Sequence, residues 1–173
     1  MGYGIMLKNI IKNLTATQIE QLPLVYEAEI NHSMLDDMGH MNVRYYWHIF
    51  DDATWAFFAG LGMDRDYYAS SGNGSFALQQ YIYYAAEVHA GESIAVYSRL
   101  LGRSERRLHF MHFMINLTAG RLAATVESLG SHADLTVRRT SPFPPQIASR
   151  LDEVLSAHTG LTWEAPLCGV IAP

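Results

Sequence analysis

Two carboxylates, a glycine and a histidine stand close together just before an apolar stretch: Asp36, Asp37, Gly39 and His40. A carboxylate can act as a general base for water or as a nucleophile toward a carbonyl carbon. The first amides of a helix lack intrahelical partners and lie at its positive end, so they can stabilise an oxyanion. If a helix begins just after Asn42, one short segment supplies both parts of such a site.

The same residues also have purely structural interpretations. Asp36 and Asp37 could cap the helix or place negative charge near its start, because Asp favours such positions. Sequence alone separates the two residues poorly. His40 could contact the catalytic carboxylate, or it could be a loop histidine bonded to a backbone carbonyl. Gly39 would allow a backbone turn or the close approach of a ligand. Asn42 is interpreted first as the N-cap.

The spacing of this segment resembles that of a known family. The pattern Asp36-x-x-Gly39-His40-x-Asn42-x-x-x-Tyr46, followed by Phe50-Asp51-x-Ala53, resembles the hotdog-fold acyl-CoA thioesterases of the 4-hydroxybenzoyl-CoA thioesterase-like group. The resemblance runs from about Pro23 to the helix near Leu155. The segments Leu100-Leu101-Gly102 and Arg106 to His112 look closest to the thioesterases of carnitine and betaine breakdown.

This resemblance implies roles for single residues and a reaction. It makes Asp36, three positions before the glycine, the catalytic carboxylate, supported by His40. The backbone N–H groups around Asn42 and Val43 become the oxyanion donors. The implied enzyme hydrolyses a small acyl-CoA, with betainyl-CoA as the candidate, and needs no metal or redox cofactor. It is a homodimer or homotetramer, with sheets joined edge to edge and sites at the subunit interface.

Aromatic residues near this segment suggest how a cationic acyl group would be held. A quaternary ammonium cannot donate hydrogen bonds, so proteins hold it with aromatic faces and a nearby carboxylate. We therefore predict that Tyr46, Trp47 and Asp51 bind substrate together with Gly39. The alternative is that these aromatics are simply core. Asp51 is expected to be buried and to support the site or to meet a partner across a dimer interface.

The stretch from Val43 to Ala59 contains neither Gly nor Pro, and Gly60 and Gly62 follow as a stop, which predicts a helix. Its apolar residues are distributed nearly all round, so we expect it to be buried on every side. It is too short and too charged for a confident membrane span.

The rest of the chain predicts a sheet around this helix. Residues 24–30 alternate as a strand, residues 64–74 form a loop by composition, and four long strands between Phe76 and Val137 form an antiparallel meander with a bulge at Gly130. A final helix begins at Pro145. The fold class is α+β: a hotdog fold, in which a long antiparallel sheet wraps around a central apolar helix. We expect an N-terminal extension (1–22), one domain (23–158) and a C-terminal tail (159–173).

Composition narrows the function classes further. The net charge of −5 argues against a nucleic-acid partner, and 49% apolar against 17% charged residues favours an oligomer. His109 and His112 should point to opposite faces of a strand, and neither a HExxH spacing nor a nucleotide-binding glycine motif occurs, so no metal or cofactor is expected. The N-terminus lacks an uninterrupted apolar signal core, which favours a cytoplasmic location and no membrane partner.

Two rival functions remain open at this point. A hotdog hydratase or dehydratase would act on acyl thioesters without hydrolysing them, although its usual Asp-His pair belongs to a different loop context. A non-catalytic acyl-CoA-binding protein could keep the same scaffold. The basic side chains that could meet the phosphates of coenzyme A are Arg103, Arg106, Arg107, Arg138 and Arg139, unless they are only solvated turn charges.

Overall fold

The computed structural model describes residues 10–173. Residues 10–13 are helical and precede the regular elements. These are α1 (Ala16–Ile19), β1 (Leu24–Glu29), a 3-10 turn (His32–Met34), α2 (Val43–Gly60), α3 (Arg65–Ser71), β2 (Asn73–Tyr84), β3 (Ser93–Arg103), β4 (Arg107–Asn116), β5 (Arg121–Asp134), β6 (Arg139–Thr140) and α4 (Pro145–Thr159).

The strands form one antiparallel sheet in the order β1-β3-β4-β5-β2, and β6 adds to β5. The predicted four-strand meander is wrong for β2, which pairs with β5 at the far end of the sheet instead of with β3. Residues 85–92 then carry the chain across to β3. Alternation along a strand reveals its two faces but not its neighbour. The register shift near Gly130 falls between Ala77 and Gln79 of the edge strand, so the extra residue lies in β2.

Helix α2 begins and ends close to the predicted positions. Asn42 caps its start, and Gly62, with φ of 86°, follows the C-cap residue Leu61. A left-handed residue is the usual way to stop a helix, and glycine adopts it without steric cost.

One face of α2 packs on the concave side of the sheet. Ile49, Phe50 and Ala53 lie in a single buried cluster with sheet residues such as Val96 and Met114. The opposite face carries Trp47 and Trp55, which are 37% and 38% exposed. The expectation of burial on every side is therefore wrong for a single chain, because the sheet covers only one side of the helix.

A buried histidine connects the helix to the sheet. On β4, His112 has no exposed surface; its Nδ1 lies 2.6 Å from Ser98 Oγ and its Nε2 lies 2.9 Å from Thr54 Oγ1. Because Thr54 Oγ1 donates to the Phe50 carbonyl, the hydroxyl accepts from Nε2–H, which assigns the neutral Nε2–H tautomer. His109 instead bonds Glu127 at 2.8 Å.

The convex face of the sheet is covered by segments from both chain ends. Ile11, Ile19 and Trp163 lie in one buried cluster with Phe113 and Ile115 of β4. The division into an extension, a domain and a tail stays a prediction, and residues 1–9 of that extension lie outside the described residues.

The stretch predicted as a loop between Asp64 and Gly74 contains helix α3. Asp64 Oδ1 accepts from Tyr67 N–H at 2.7 Å, which caps the helix, and Gly72 ends it with φ of 68°. The serines and glycines that favour a loop lie mostly at the C-terminal end of this short helix. The final helix begins at Pro145, as predicted.

The buried His112 predicts how stability depends on pH. Burial lowers its pKa from 6.5 to about 3, so between those values the unfolded chain takes up a proton that the folded chain does not. The free energy of unfolding should therefore fall as the pH drops below 6.5, by up to about 1.4 kcal/mol per pH unit from this group.

Urea unfolding between pH 4 and 7 measures this slope. A His112→Gln variant should show a shallower slope, while a control variant of the exposed His48, His48→Gln, should match the wild type. Equal slopes in the His112→Gln variant and the wild type would contradict the assignment.

Candidate active site

Asp36 opens a tight turn whose backbone holds one of its carboxylate oxygens. The Asp36 N–H donates to the His40 carbonyl, and the Gly39 N–H donates to the Asp36 carbonyl, both at 3.0 Å. The Met38 N–H donates to Asp36 Oδ1 at 2.9 Å. Gly39 has φ of 86° with open space around it, so the turn, rather than a close contact, explains this glycine. The other oxygen, Oδ2, is not used by the turn.

His40 lies beside that second oxygen. Its Nδ1 is 3.2 Å from Asp36 Oδ2, and its Nε2 is 3.8 Å from Glu87 Oε1. His89 reaches the same turn, with Nδ1 at 3.2 Å from the Gly39 carbonyl. The loop between β2 and β3 therefore supports the Asp36 turn from the other side, through Glu87 and His89. Sequence reasoning did not connect His89 with the site.

Asp37 differs from Asp36 in its surroundings. Its side chain is exposed, and it makes no hydrogen bond or ion pair within residues 10–173. Of these two aspartates, only Asp36 has its carboxylate held in a defined position beside a histidine. This difference, which the sequence alone did not resolve, favours Asp36 as the reacting group.

The start of α2 leaves one amide available next to this turn. Asn42 Oδ1 accepts from Arg44 N–H at 3.1 Å, so Asn42 is the predicted N-cap. Its own N–H donates to the Met34 carbonyl at 2.9 Å and is therefore occupied. Within the part of the chain that the structure describes, the Val43 N–H makes no hydrogen bond. Of the two predicted oxyanion donors, Val43 is the one whose amide is available.

Tyr46, predicted to bind substrate, is a core residue. It is only 4% exposed, its hydroxyl donates to the Ala86 carbonyl at 3.4 Å, and its ring meets Tyr84 edge-on. Burial raises the pKa of Tyr46 to about 12. Its contacts connect α2 to the end of β2 and to the loop that carries Glu87, so Tyr46 supports the site as a core residue.

Trp47 and Asp51 lie on the exposed face of α2. With Trp55 they form a stripe at a spacing of four residues, which places them above one another on the helix. The predicted burial of Asp51 is wrong: its side chain is exposed in the single chain because no element of the chain covers this face.

Next to this stripe lies a cavity of about 530 Å³ between α2, α3 and the paired strands β2 and β5. Its walls combine aromatic and aliphatic side chains with polar ones such as Asn73, Ser75 and Gln80, and Asp51 contributes a carboxylate. The residues that line it include Asp51, Trp55, Phe58, Tyr68, Phe76 and Ser128. The Asp36 turn does not line it. Asp51 follows Asn42 by nine positions, or about 13 Å along the helix axis at 1.5 Å per residue.

Residues 30–151 match the sequence profile of the Thioesterase-like superfamily. The chain belongs to this superfamily. It is 34% identical over 136 residues to an L-carnitine dehydrogenase/betainyl-CoA thioesterase of Agrobacterium fabrum, covering 79% of this chain but 28% of that protein. It is 29% identical over 143 residues to the betainyl-CoA thioesterase of Pseudomonas aeruginosa, covering 83% of this chain and 90% of that protein.

Solved structures share the architecture of this thioesterase-like chain. Protein SAV2348 of Staphylococcus aureus, determined in complex with CoA, superposes with a TM-score of 0.78 at 22% identity, over 88% of this chain and 96% of that one. A putative thioesterase of Pseudomonas putida KT2440 superposes with a TM-score of 0.73 at 28% identity, with the same coverages. The predicted hotdog fold and family membership are confirmed.

No helix in residues 10–173 combines the length and apolar character needed to cross a membrane. No group of three or more His, Cys, Asp or Glu side chains within that range could hold a metal ion. Among the arginines considered for phosphate binding, Arg103 is already paired with Asp152.

The cap of the site helix gives a prediction for stability. Asn42→Ala removes the acceptor of the Arg44 N–H and should lower the free energy of unfolding by about 1 kcal/mol, as N-cap losses do. Asn42→Ser, which can still cap, should lose less. Urea unfolding of the three proteins measures the difference. Equal losses in the two variants would show that the Asn42 side chain does not act as a cap.

Proposed function

We propose that this chain is an acyl-CoA thioesterase with Asp36 as its reacting carboxylate. The observation that carries the proposal is the pairing of a positioned Asp36 carboxylate with the available Val43 N–H at the start of α2. Two relatives named for betainyl-CoA thioesterase activity support it, as does a structural neighbour determined with CoA. The chain spans 28% of the length of the Agrobacterium relative, so that protein's full activity is not carried over.

In this reaction Asp36 acts on the thioester carbonyl carbon. Through water, Asp36 takes a proton as the water oxygen bonds to the carbon; by direct attack, Asp36 Oδ2 forms that bond itself and water later cleaves the resulting anhydride. In both routes the carbonyl oxygen gains negative charge next to the Val43 N–H and the positive end of α2. The C–S bond breaks, and coenzyme A leaves as a thiolate that takes up a proton. His40 orients Asp36 Oδ2.

The proposed acyl group is small and cationic, with betainyl as the first candidate. In this stripe, Trp47 offers an aromatic face and Asp51 a carboxylate, which is the chemistry that holds a quaternary ammonium. The Trp55 ring already has the Arg65 guanidinium 5.1 Å from its centroid. The exposure of the stripe leaves these groups accessible to a ligand.

Geometry then favours a site shared by two copies. The ammonium methyl carbons of a betainyl group lie about 4 Å from its carbonyl carbon, three bonds of about 1.5 Å each. The axial offset of about 13 Å between Asn42 and Asp51 of one chain is much longer. A second copy, joined through the edge strand β2, would supply Asp51 to the Asp36 of its partner. The exposed Leu78, Tyr81 and Tyr84 give that edge an apolar surface to bury. We propose a homodimer, or a homotetramer built from it, in the cytoplasm.

Thiol release from betainyl-CoA tests the reaction and the reacting group together. Asp36→Asn should cut kcat by a factor on the order of 10² or more, because it removes the base or nucleophile. Asp37→Asn should cost far less, since that side chain is exposed and makes no hydrogen bond or ion pair in the described part of the chain. A larger loss in the Asp37 variant would show that Asp37, rather than Asp36, is the reacting carboxylate.

The same assay tests the charge preference and the rival functions. The neutral analogue 3,3-dimethylbutyryl-CoA matches betainyl-CoA in shape and should show a lower kcat/KM. Equal or faster hydrolysis of the neutral compound would show that the site has no preference for a cationic acyl group. Tight binding without thiol release would indicate an acyl-CoA-binding protein, and hydration of an unsaturated acyl-CoA would indicate a hydratase.

Mixing two inactive variants tests the shared site. Asp36→Asn and Asp51→Asn should each be slow on betainyl-CoA. In a mixed dimer, one of the two sites has both carboxylates, so random mixing should restore about a quarter of wild-type activity if sites are formed by a symmetric pair. Co-expression with two different tags isolates the mixed dimers. Mixed dimers that form but show no recovery would mean that one chain supplies the whole site.

A further inference from the structure

The Glu87 carboxylate lies between two histidines. Its Oε1 is 3.8 Å from His40 Nε2, and its Oε2 is 3.9 Å from His89 Nε2, although the Glu87 side chain is 64% exposed. Both distances are within the reach of an ion pair with a protonated ring. Exposed ion pairs contribute little to stability, so the two contacts are better explained by the site that they adjoin.

Each of these histidines reaches the Asp36 turn with its other ring nitrogen. His40 Nδ1 is 3.2 Å from Asp36 Oδ2, and His89 Nδ1 is 3.2 Å from the Gly39 carbonyl oxygen. Carboxylate and carbonyl oxygens only accept, so both Nδ1 atoms carry a hydrogen. Both Nε2 atoms also face an acceptor, the Glu87 carboxylate. The doubly protonated form of each ring suits this arrangement, and Glu87 then supplies the opposite charge.

The backbone on either side of Glu87 is fixed by buried contacts. The Tyr46 hydroxyl donates to the Ala86 carbonyl at 3.4 Å, and the Met41 N–H donates to the Val88 carbonyl at 2.7 Å. Val88 itself has no exposed surface. The loop that carries Glu87 is therefore bonded both to α2 and to the segment that joins the Asp36 turn to that helix, which sets where the exposed side chain begins.

A second carboxylate in the same loop has a different task. Glu92 Oε2 accepts from the His89 N–H at 2.6 Å and from Asn116 Nδ2 at 2.8 Å. The bond from His89 is the main cause that holds the pKa of Glu92 below its usual value. Glu92 therefore shapes the loop, whereas within residues 10–173 the Glu87 carboxylate meets only the two histidine rings.

We propose that Glu87 is a positioning residue of the candidate active site. It holds the His40 ring against the Asp36 carboxylate, and it holds the His89 ring that bonds the Gly39 carbonyl of the same turn. The proposal rests on the thioesterase function proposed above. Both routes of that reaction need an ionised Asp36 in a fixed orientation, and a protonated His40 beside it favours the ionised form. Glu87 therefore acts on the reaction through His40, without contacting the substrate.

Steady-state hydrolysis of betainyl-CoA tests this role. Glu87→Gln keeps the size of the side chain but removes its charge, and should cut kcat about tenfold with KM nearly unchanged, because a misplaced reacting group slows the chemical step. The matched control is Glu153→Gln on α4, whose side chain is also 64% exposed and ion-paired. It should keep the wild-type kcat, and both variants should keep the wild-type Tm.

A double variant tests whether Glu87 acts through His40. If it does, adding Glu87→Gln to a His40→Gln protein should lower kcat by less than about twofold, since residues that act through one another are not additive. Losses that multiply in full would show that the two residues act separately and would overturn the proposal. An increase in KM without a change in kcat would also overturn it, because Glu87 would then bind the substrate.

Long-range 1H–15N NMR spectra of the histidine rings give a readout that does not need activity. Glu87→Gln should move the ring-nitrogen signals of His40 and His89 and leave those of the buried His112 in place, whereas Glu153→Gln should move none of the three. Unchanged His40 signals, or a wild-type kcat in Glu87→Gln, would overturn the positioning role alone. Absence of thiol release by the wild-type protein would instead overturn the thioesterase function.

Discussion

The packing of α2 against the concave face of the sheet is the constraint on which the candidate site depends. The apolar face of the helix packs on an aliphatic and aromatic core. His112 of β4 bonds Thr54 in the middle of the helix and Ser98 of β3. A non-directional apolar contact would tolerate sliding, whereas two hydrogen bonds to one buried ring specify the position along the axis. The position of the helix start, and with it the Val43 amide, follows from this.

The loop before the helix is fixed by a second set of contacts, from residues far away in sequence. The Met41 N–H donates to the Val88 carbonyl, and the Gly91 N–H donates to the Ile30 carbonyl. These bonds attach the crossing between β2 and β3 to both ends of the loop that contains Asp36. The crossing exists because β2 pairs at the far edge of the sheet. The topology that sequence patterns misjudged is therefore the feature that brings Glu87 and His89 to the turn.

What could be predicted from sequence follows the range of the interactions involved. The Asp36 turn, the Asn42 cap and the stop at Gly62 depend on neighbours a few positions away, and residue types report such contacts directly. The partner of β2, the support from Glu87 and the exposure of Asp51 depend on contacts between residues that are far apart in the chain. A single sequence gives no direct signal of such contacts. The aromatic residues of α2 illustrate the division. The lack of Gly and Pro from Val43 to Ala59 predicted the helix, but only its packing against the sheet decides that Tyr46 is core and Trp47 is not.

The polar side chains buried in residues 10–173 divide into those that have a hydrogen-bond partner within the protein and those that do not. His112, His109 and Arg99 each find partners within the protein, so their desolvation is offset by contacts that hold the fold together. Within residues 10–173, the Ser128 and Tyr68 hydroxyls are the two buried side-chain groups without a hydrogen-bond partner, although the Ser75 side chain lies near that of Tyr68. Because an unpaired buried hydroxyl costs free energy, both positions are less stable than an apolar side chain of the same shape would make them.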